Sequence, residues 1–107
     1  MKIFKELKKL GYIHYSATTI EELDDLPLNS AERVSEQALV LRWFREKYKY
    51  LVSPFSTESE EGKVIYYFEI GKVDKFTVDI YSDDKSTYEE AELECLKKLI
   101  EIVKTKP

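Results

Sequence analysis

The 107 residues carry 36% charged and 43% hydrophobic side chains with only three Gly and three Pro, which excludes a collagen-like, low-complexity or wholly disordered chain and fits a single domain core. One Cys excludes an intramolecular disulfide framework and a Cys-based zinc site, and one His disfavours His-rich metal sites and His-dependent relays. The net charge of −4 is unevenly placed: residues 53–94 hold 12 acids against four lysines (−8), while residues 1–52 carry +1 and residues 95–107 carry +3.

The N-terminal 28 residues read as a helical extension. Ile3, Leu7 and Leu10 share a helix face, and Gly11 stands where a left-handed residue ends a helix. Tyr12 to Tyr15 read as extended or irregular. Thr18 with Glu21, or Thr19 with Glu22, has capping-box spacing and opens a second short helix through Ile20 and Leu23, stopped before Pro27. Helices this short are unstable alone, so both must dock on the rest of the chain.

Residues 29–107 form the expected main domain. Asn29 is placed to cap a helix from Ala31 to Tyr48, with Glu32 reaching back to it. Val34, Ala38, Leu41, Phe44 and Tyr48 share one face of that helix, and Leu39, Trp43 and Tyr50 lie nearly opposite. Two apolar sides predict cover on two sides, by a sheet and by the N-terminal helices. The pattern then switches to period two. Leu51–Phe55 forms a strand that Pro54 places at an edge, and Val64, Tyr66, Phe68 and Ile70 alternate with Ile65, Tyr67 and Glu69. A third strand from Phe76 to Ser82 puts Thr77, Asp79 and Tyr81 opposite Phe76, Val78 and Ile80. Glu60-Glu61-Gly62 and Gly71-Lys72 supply the turns. Ser86 or Thr87 opens a last helix whose stripe is Tyr88, Ala91, Cys95, Leu99 and Ile102, with acids early and lysines late to suit its dipole. The expectation is an α+β fold: a two-layer α-β-β-β-α core, with a three-stranded antiparallel meander carrying two helices on one face, plus the N-terminal helical extension.

That order of elements resembles the double-stranded RNA-binding fold over residues 30–105, in topology alone. The resemblance implies phosphate contacts from lysines at the start of the final helix. This chain has Asp83-Asp84-Lys85-Ser86-Thr87-Tyr88-Glu89-Glu90 there, with one lysine among four acids, so the fold is expected without the activity. Arg42-Trp43-Phe44-Arg45-Glu46-Lys47-Tyr48 and Thr87-Tyr88-Glu89-Glu90-Ala91-Glu92 are similar, across residues 36–104, to strings in short uncharacterised proteins encoded by prophages and mobile elements of gut bacteria. That resemblance implies a mobile-element origin and a helix–meander–helix core, and carries no activity.

Catalysis has little support in the sequence. His14 has no identifiable nucleophile beside it, Cys95 falls inside an apolar stripe, the acidic clusters lack calcium-loop spacing, and no glycine-rich phosphate loop is present. No catalytic residue, cofactor or metal is expected. The best candidate surface is the sheet face away from the helices, where Ile65, Tyr67 and Tyr81 would meet a protein partner or a second copy of the chain. The alternative is a nucleic-acid contact through Arg42, Trp43, Arg45, Lys47 and Lys49, disfavoured by the acidic middle of the chain. The longest apolar run, Val64 to Phe68, is far short of the roughly 20 residues that span a bilayer, and Met1 to Leu10 lacks the apolar stretch of a signal peptide. A non-catalytic, cytoplasmic binding protein is the expectation.

Overall fold

The computed structural model describes residues 2–13, 18–72, 78–81 and 84–105. The fold is α+β. Its elements run α1 (Ile3–Lys9), α2 (Ile20–Asp25), α3 (Ala31–Tyr48), β1 (Tyr50–Glu58), β2 (Val64–Lys72), β3 (Val78–Tyr81) and α4 (Tyr88–Thr105).

The helix ends follow local chemistry. The Thr19 hydroxyl accepts from the Glu22 amide at 3.1 Å, and the Thr87 hydroxyl accepts from the Glu90 amide at 3.2 Å. The cap of α3 is Ser30 rather than the expected Asn29, its hydroxyl accepting from the Arg33 amide at 3.3 Å. Lys49 ends α3 in the left-handed region with φ 63°, turning the chain directly into β1. Helix α1 has no cap of its own; the Asp24 carboxylate from α2 accepts from the amides of Phe4 at 2.9 Å and Lys5 at 3.0 Å. Helix α2 thus supplies the cap that α1 lacks.

Antiparallel β1 and β2 pair along their whole length, from Tyr50↔Lys72 to Glu58↔Val64. The expected three-stranded antiparallel meander is not borne out. Gly71 and Lys72, read from sequence as a turn, lie inside β2. Among the described residues the ladder to β3 holds Glu69↔Tyr81, Ile70↔Ile80 and Gly71↔Val78, broken by a register shift between Ile70 and Gly71. The sheet is in substance the β1–β2 hairpin, with a four-residue third segment beside it. Phe76, Thr77 and Ser82 lie outside the described residues.

One core joins all of this. Tyr50, Phe68 and Ile70 from the sheet are buried with Val40 and Phe44 of α3, and with Ala91, Cys95, Leu96, Leu99 and Ile100 of α4. The N-terminal segment contributes Ile3, Phe4, Leu7, Tyr12, Ile20 and Leu23 to the same cluster. A hydrogen-bonded ion pair from Glu6 to Lys104 ties α1 to the end of α4.

Helix α3 departs most from its sequence reading. Leu39 is 53% exposed, whereas Arg33, Glu36 and Gln37 are buried. Arg33 donates to the carbonyls of Asp24 at 3.2 Å and Leu26 at 2.8 Å, and through Nε to Gln37 Oε1 at 2.9 Å. Gln37 Nε2 donates to Glu92 Oε1 of α4 at 2.8 Å, and the Tyr12 hydroxyl donates to Glu36. No buried side-chain polar atom lacks a partner among the described residues.

Burial holds the Glu92 carboxyl above its ordinary range, opposed by hydrogen bonds from Gln37 and Tyr88. The native state therefore takes up this proton more readily than the unfolded chain. Its stabilising contribution is full below the ordinary carboxylate range and fades as pH rises through the raised native value. Glu92→Gln, which imitates the neutral acid, is expected to leave the melting temperature unchanged at about pH 4 and raise it a few degrees at about pH 7. Thermal melts at the two pH values read this directly, and an equal shift at both would remove the ionisation as the cause.

Candidate functional site

Strand alternation separates the two faces of the hairpin. Tyr50, Val52, Phe68, Ile70 and Tyr66 point toward the helices, where they are buried or packed against the core. Leu51, Phe55, Ile65 and Tyr67 fall on the opposite face. Leu51 is 37% exposed and Phe55 is 40% exposed, while Ile65 and Tyr67 are half-buried. Phe55 is the register partner of Tyr67, and their rings stack with centroids 5.5 Å apart and planes 15° from parallel. Ser53 and Thr57 fill the remaining β1 positions on this face, and Glu69 is the one charged residue that β1 and β2 place on it. In a chain with 36% charged residues, the part of this face built by β1 and β2 is sparsely charged.

Ile65 and Tyr67 therefore stand together where alternation put them. Tyr81 occupies the β3 position paired with Glu69, which assigns it to the same face by register; its side chain lies outside the described residues. Sequence reading missed Phe55 and Leu51. The signal was present: counting back from the Glu60-Glu61-Gly62 turn sets Phe55 against Tyr67.

Strand β1 is also an edge, since the order β1-β2-β3 leaves nothing on its far side among the described residues. Both backbone groups of Tyr66 bond to Lys85, with Tyr66 N–H to Lys85 O at 2.8 Å and Lys85 N–H to Tyr66 O at 2.9 Å. Tyr66 therefore faces away from β1, and its partner Ser56 directs its own backbone groups outward. By alternation Tyr50, Val52, Pro54, Ser56 and Glu58 all do so. Pro54 thus stands where its missing N–H costs no internal bond. Beside the start of this edge lies a cavity of about 240 Å³ between α3 and β1, lined by Ala38, Leu41, Arg42, Arg45, Leu51 and Val52.

The basic strip of α3 does not form one cationic face. Arg42 Nε is paired with Glu46 at 3.0 Å. Lys47 lies 5.0 Å from the Trp43 ring centre and donates to the Leu10 carbonyl at 3.3 Å. Lys49 donates to the Glu46 carbonyl at 3.1 Å. Trp43 is half-buried, with Tyr12, Phe44 and Tyr48 against it at 5.0–5.5 Å between ring centres. Arg45 alone of the strip has no partner among the described residues.

Cys95 is buried, and burial pushes its thiol well above the range in which a reactive thiolate forms. His14 lies outside the described residues. Among the described residues no group of three or more His, Cys, Asp or Glu could hold a metal, and no helix is long and apolar enough to cross a membrane. Comparison with protein-family models, with curated proteins and with solved structures finds no match.

Proposed function

We propose that this protein is a non-catalytic binding module that meets a protein surface through the uncovered face of its sheet, centred on Phe55, Ile65 and Tyr67. The observation that carries the reading is the stacked Phe55–Tyr67 pair on a face to which β1 and β2 bring one charge, opposite the face where the helices pack. Aromatic, weakly charged surface is the composition of an interface core rather than of a general protein surface. A rigid ladder also holds these side chains in place before binding, so little ordering cost is left for the encounter. The long edge of β1 adjoins the same face and gives a partner main-chain groups as well as side chains.

A tagged chain is expected to retain a protein partner, or its own untagged copy, and to release it when Tyr67→Lys or Phe55→Lys places a charge on the face. Circular dichroism should show helix and strand content unchanged in both variants. Retention by the variants at wild-type level would remove the face from the binding reaction.

A further inference from the structure

We propose that the free edge of β1 pairs antiparallel with the β1 edge of a second copy of this chain, about a two-fold axis at Phe55, so that Glu58 of each copy enters beside the Arg42–Arg45 cavity of the other. The pairing rests on the reading of the sheet as the binding element and joins the uncovered faces of two copies into one.

Charge decides the partner and its direction. Arg45, Lys47 and Lys49 precede β1, Glu58, Glu60 and Glu61 stand at its far end, and residues 50–57 carry no charge. An antiparallel second copy sets the basic end of each strand against the acidic end of the other, twice by symmetry. A parallel copy would align like with like.

Backbone chemistry decides the register. A two-fold axis perpendicular to the sheet keeps both helical layers on one side and pairs residues that share a face. Centring it on Pro54 would oppose two prolines, neither with an N–H to give. Centring it on Phe55 sets Pro54 against Ser56 and Val52 against Glu58. Ser56 N–H then donates to the Pro54 carbonyl of the other copy, and Val52 and Glu58 exchange both of their bonds, because all these groups point outward. Phe55 meets its own copy at the axis, and Lys49 comes opposite Glu61. Centring it on Ser53 would put Thr57 opposite Lys49 and lose that match.

The same register brings the side chains together. Glu58 of the second copy shares the helix side with Val52, which lines the cavity of about 240 Å³ flanked by Arg42 and Arg45. Arg45, without a partner among the described residues, gains a carboxylate there. The space is open: residues 53–58 are all exposed, and Val64, opposite Glu58, is 54% exposed. The hairpin tip therefore reaches past the helical layer of its own chain and can lie beside α3 of the other. Seven paired residues span only about 23 Å, a contact smaller than the roughly 800 Å² per partner of a standard interface, so the dimer is micromolar rather than nanomolar.

Sedimentation equilibrium of the full chain tests this. A salt-sensitive dimer is expected, weakened at least about tenfold by Arg45→Glu and by Glu58→Arg, and restored to within a few-fold when both are combined. Ser56→Pro, which removes an outward N–H and no internal bond, should abolish the dimer without changing the melting temperature of the dilute, monomeric chain. A chain monomeric to about 1 mM, a dimer indifferent to Ser56→Pro, or a charge swap without rescue each overturns the pairing. Tyr67→Lys separates the two readings. A dimer lost with Tyr67→Lys but not with Ser56→Pro keeps the face and removes the edge. A dimer lost with Ser56→Pro but not with Tyr67→Lys supports the edge, and leaves the face to the retention experiment.

Discussion

Replacing Phe44 by Ala is expected to lower the unfolding free energy by about 4 kcal/mol, the range for emptying an aromatic site in a packed core. Phe44 has no exposed surface and lies 5.0 Å from the Trp43 ring and 5.8 Å from that of Tyr48. It also sits one turn before the Lys49 cap, where α3 bends into β1, so the neighbouring backbone is poorly free to close the space left behind. Against a total of roughly 5–15 kcal/mol for a domain of this size, the loss is a large fraction. The chain has one Trp, and it touches the altered position, so Trp43 fluorescence reports the change directly. Its emission should shift to the red in the native baseline, and urea unfolding should give the free energy. Phe44→Leu is expected to recover more than half of the loss. A cost under about 1 kcal/mol for Phe44→Ala would mean that the site collapses freely and that α3 is not anchored there.

Gln37→Leu is the second large effect, about 3 kcal/mol, and its cause is polar rather than steric. Leu fills nearly the same volume, so packing changes little. The lost amide accepts from Arg33 and donates to Glu92, both buried. Arg33 keeps its two carbonyl acceptors, but Glu92 loses a donor in a place where burial already opposes its charge. Adding Glu92→Leu to Gln37→Leu should therefore return more than half of the stability, because a buried acceptor without its donor costs more than an apolar pair of the same shape. Urea titration of the two single variants and the double completes the cycle. A double variant as weak as the sum of the singles would remove the hydrogen bond as the source.

Those two positions mark what the sequence makes legible. Phe44, the α4 stripe and the alternation of β2 are local patterns, and periodicity finds them because one element suffices to define each face. Capping chemistry within four residues narrows the starts of α2 and α4 to Thr18 or Thr19 and to Ser86 or Thr87, and the structure selects Thr19 and Thr87. Helix α3 was legible in extent but not in orientation. Its apolar residues fall on two sides, so the pattern pointed toward Leu39, which the structure leaves exposed. What turns the helix is Gln37, whose partner lies 55 positions away, and Glu36, whose partner Tyr12 lies 24 positions away. Polar residues read as surface until a distant element supplies the missing donor. The candidate site divides in the same way. Ile65 and Tyr67 follow from the phase of one strand, while Phe55 needs the register between two, and the isolation of Arg45 needs the positions of every neighbouring carboxylate. The third strand was overread because Gly71-Lys72 resembles a turn, whereas the ladder passes through it and shifts register there.

The docking of α1 on α4 sets an order on how the molecule comes into being. During synthesis α1 emerges first, carrying Ile3, Phe4 and Leu7 for a core whose opposite wall, α4, does not begin until Tyr88. A seven-residue helix capped by a neighbouring Asp24 can pair early with α2, but the wall that α4 supplies is missing while the hairpin is being made. The side of α1 that meets α4 therefore stays open until α4 is made, and the Glu6–Lys104 contact closes only when that helix has left the ribosome.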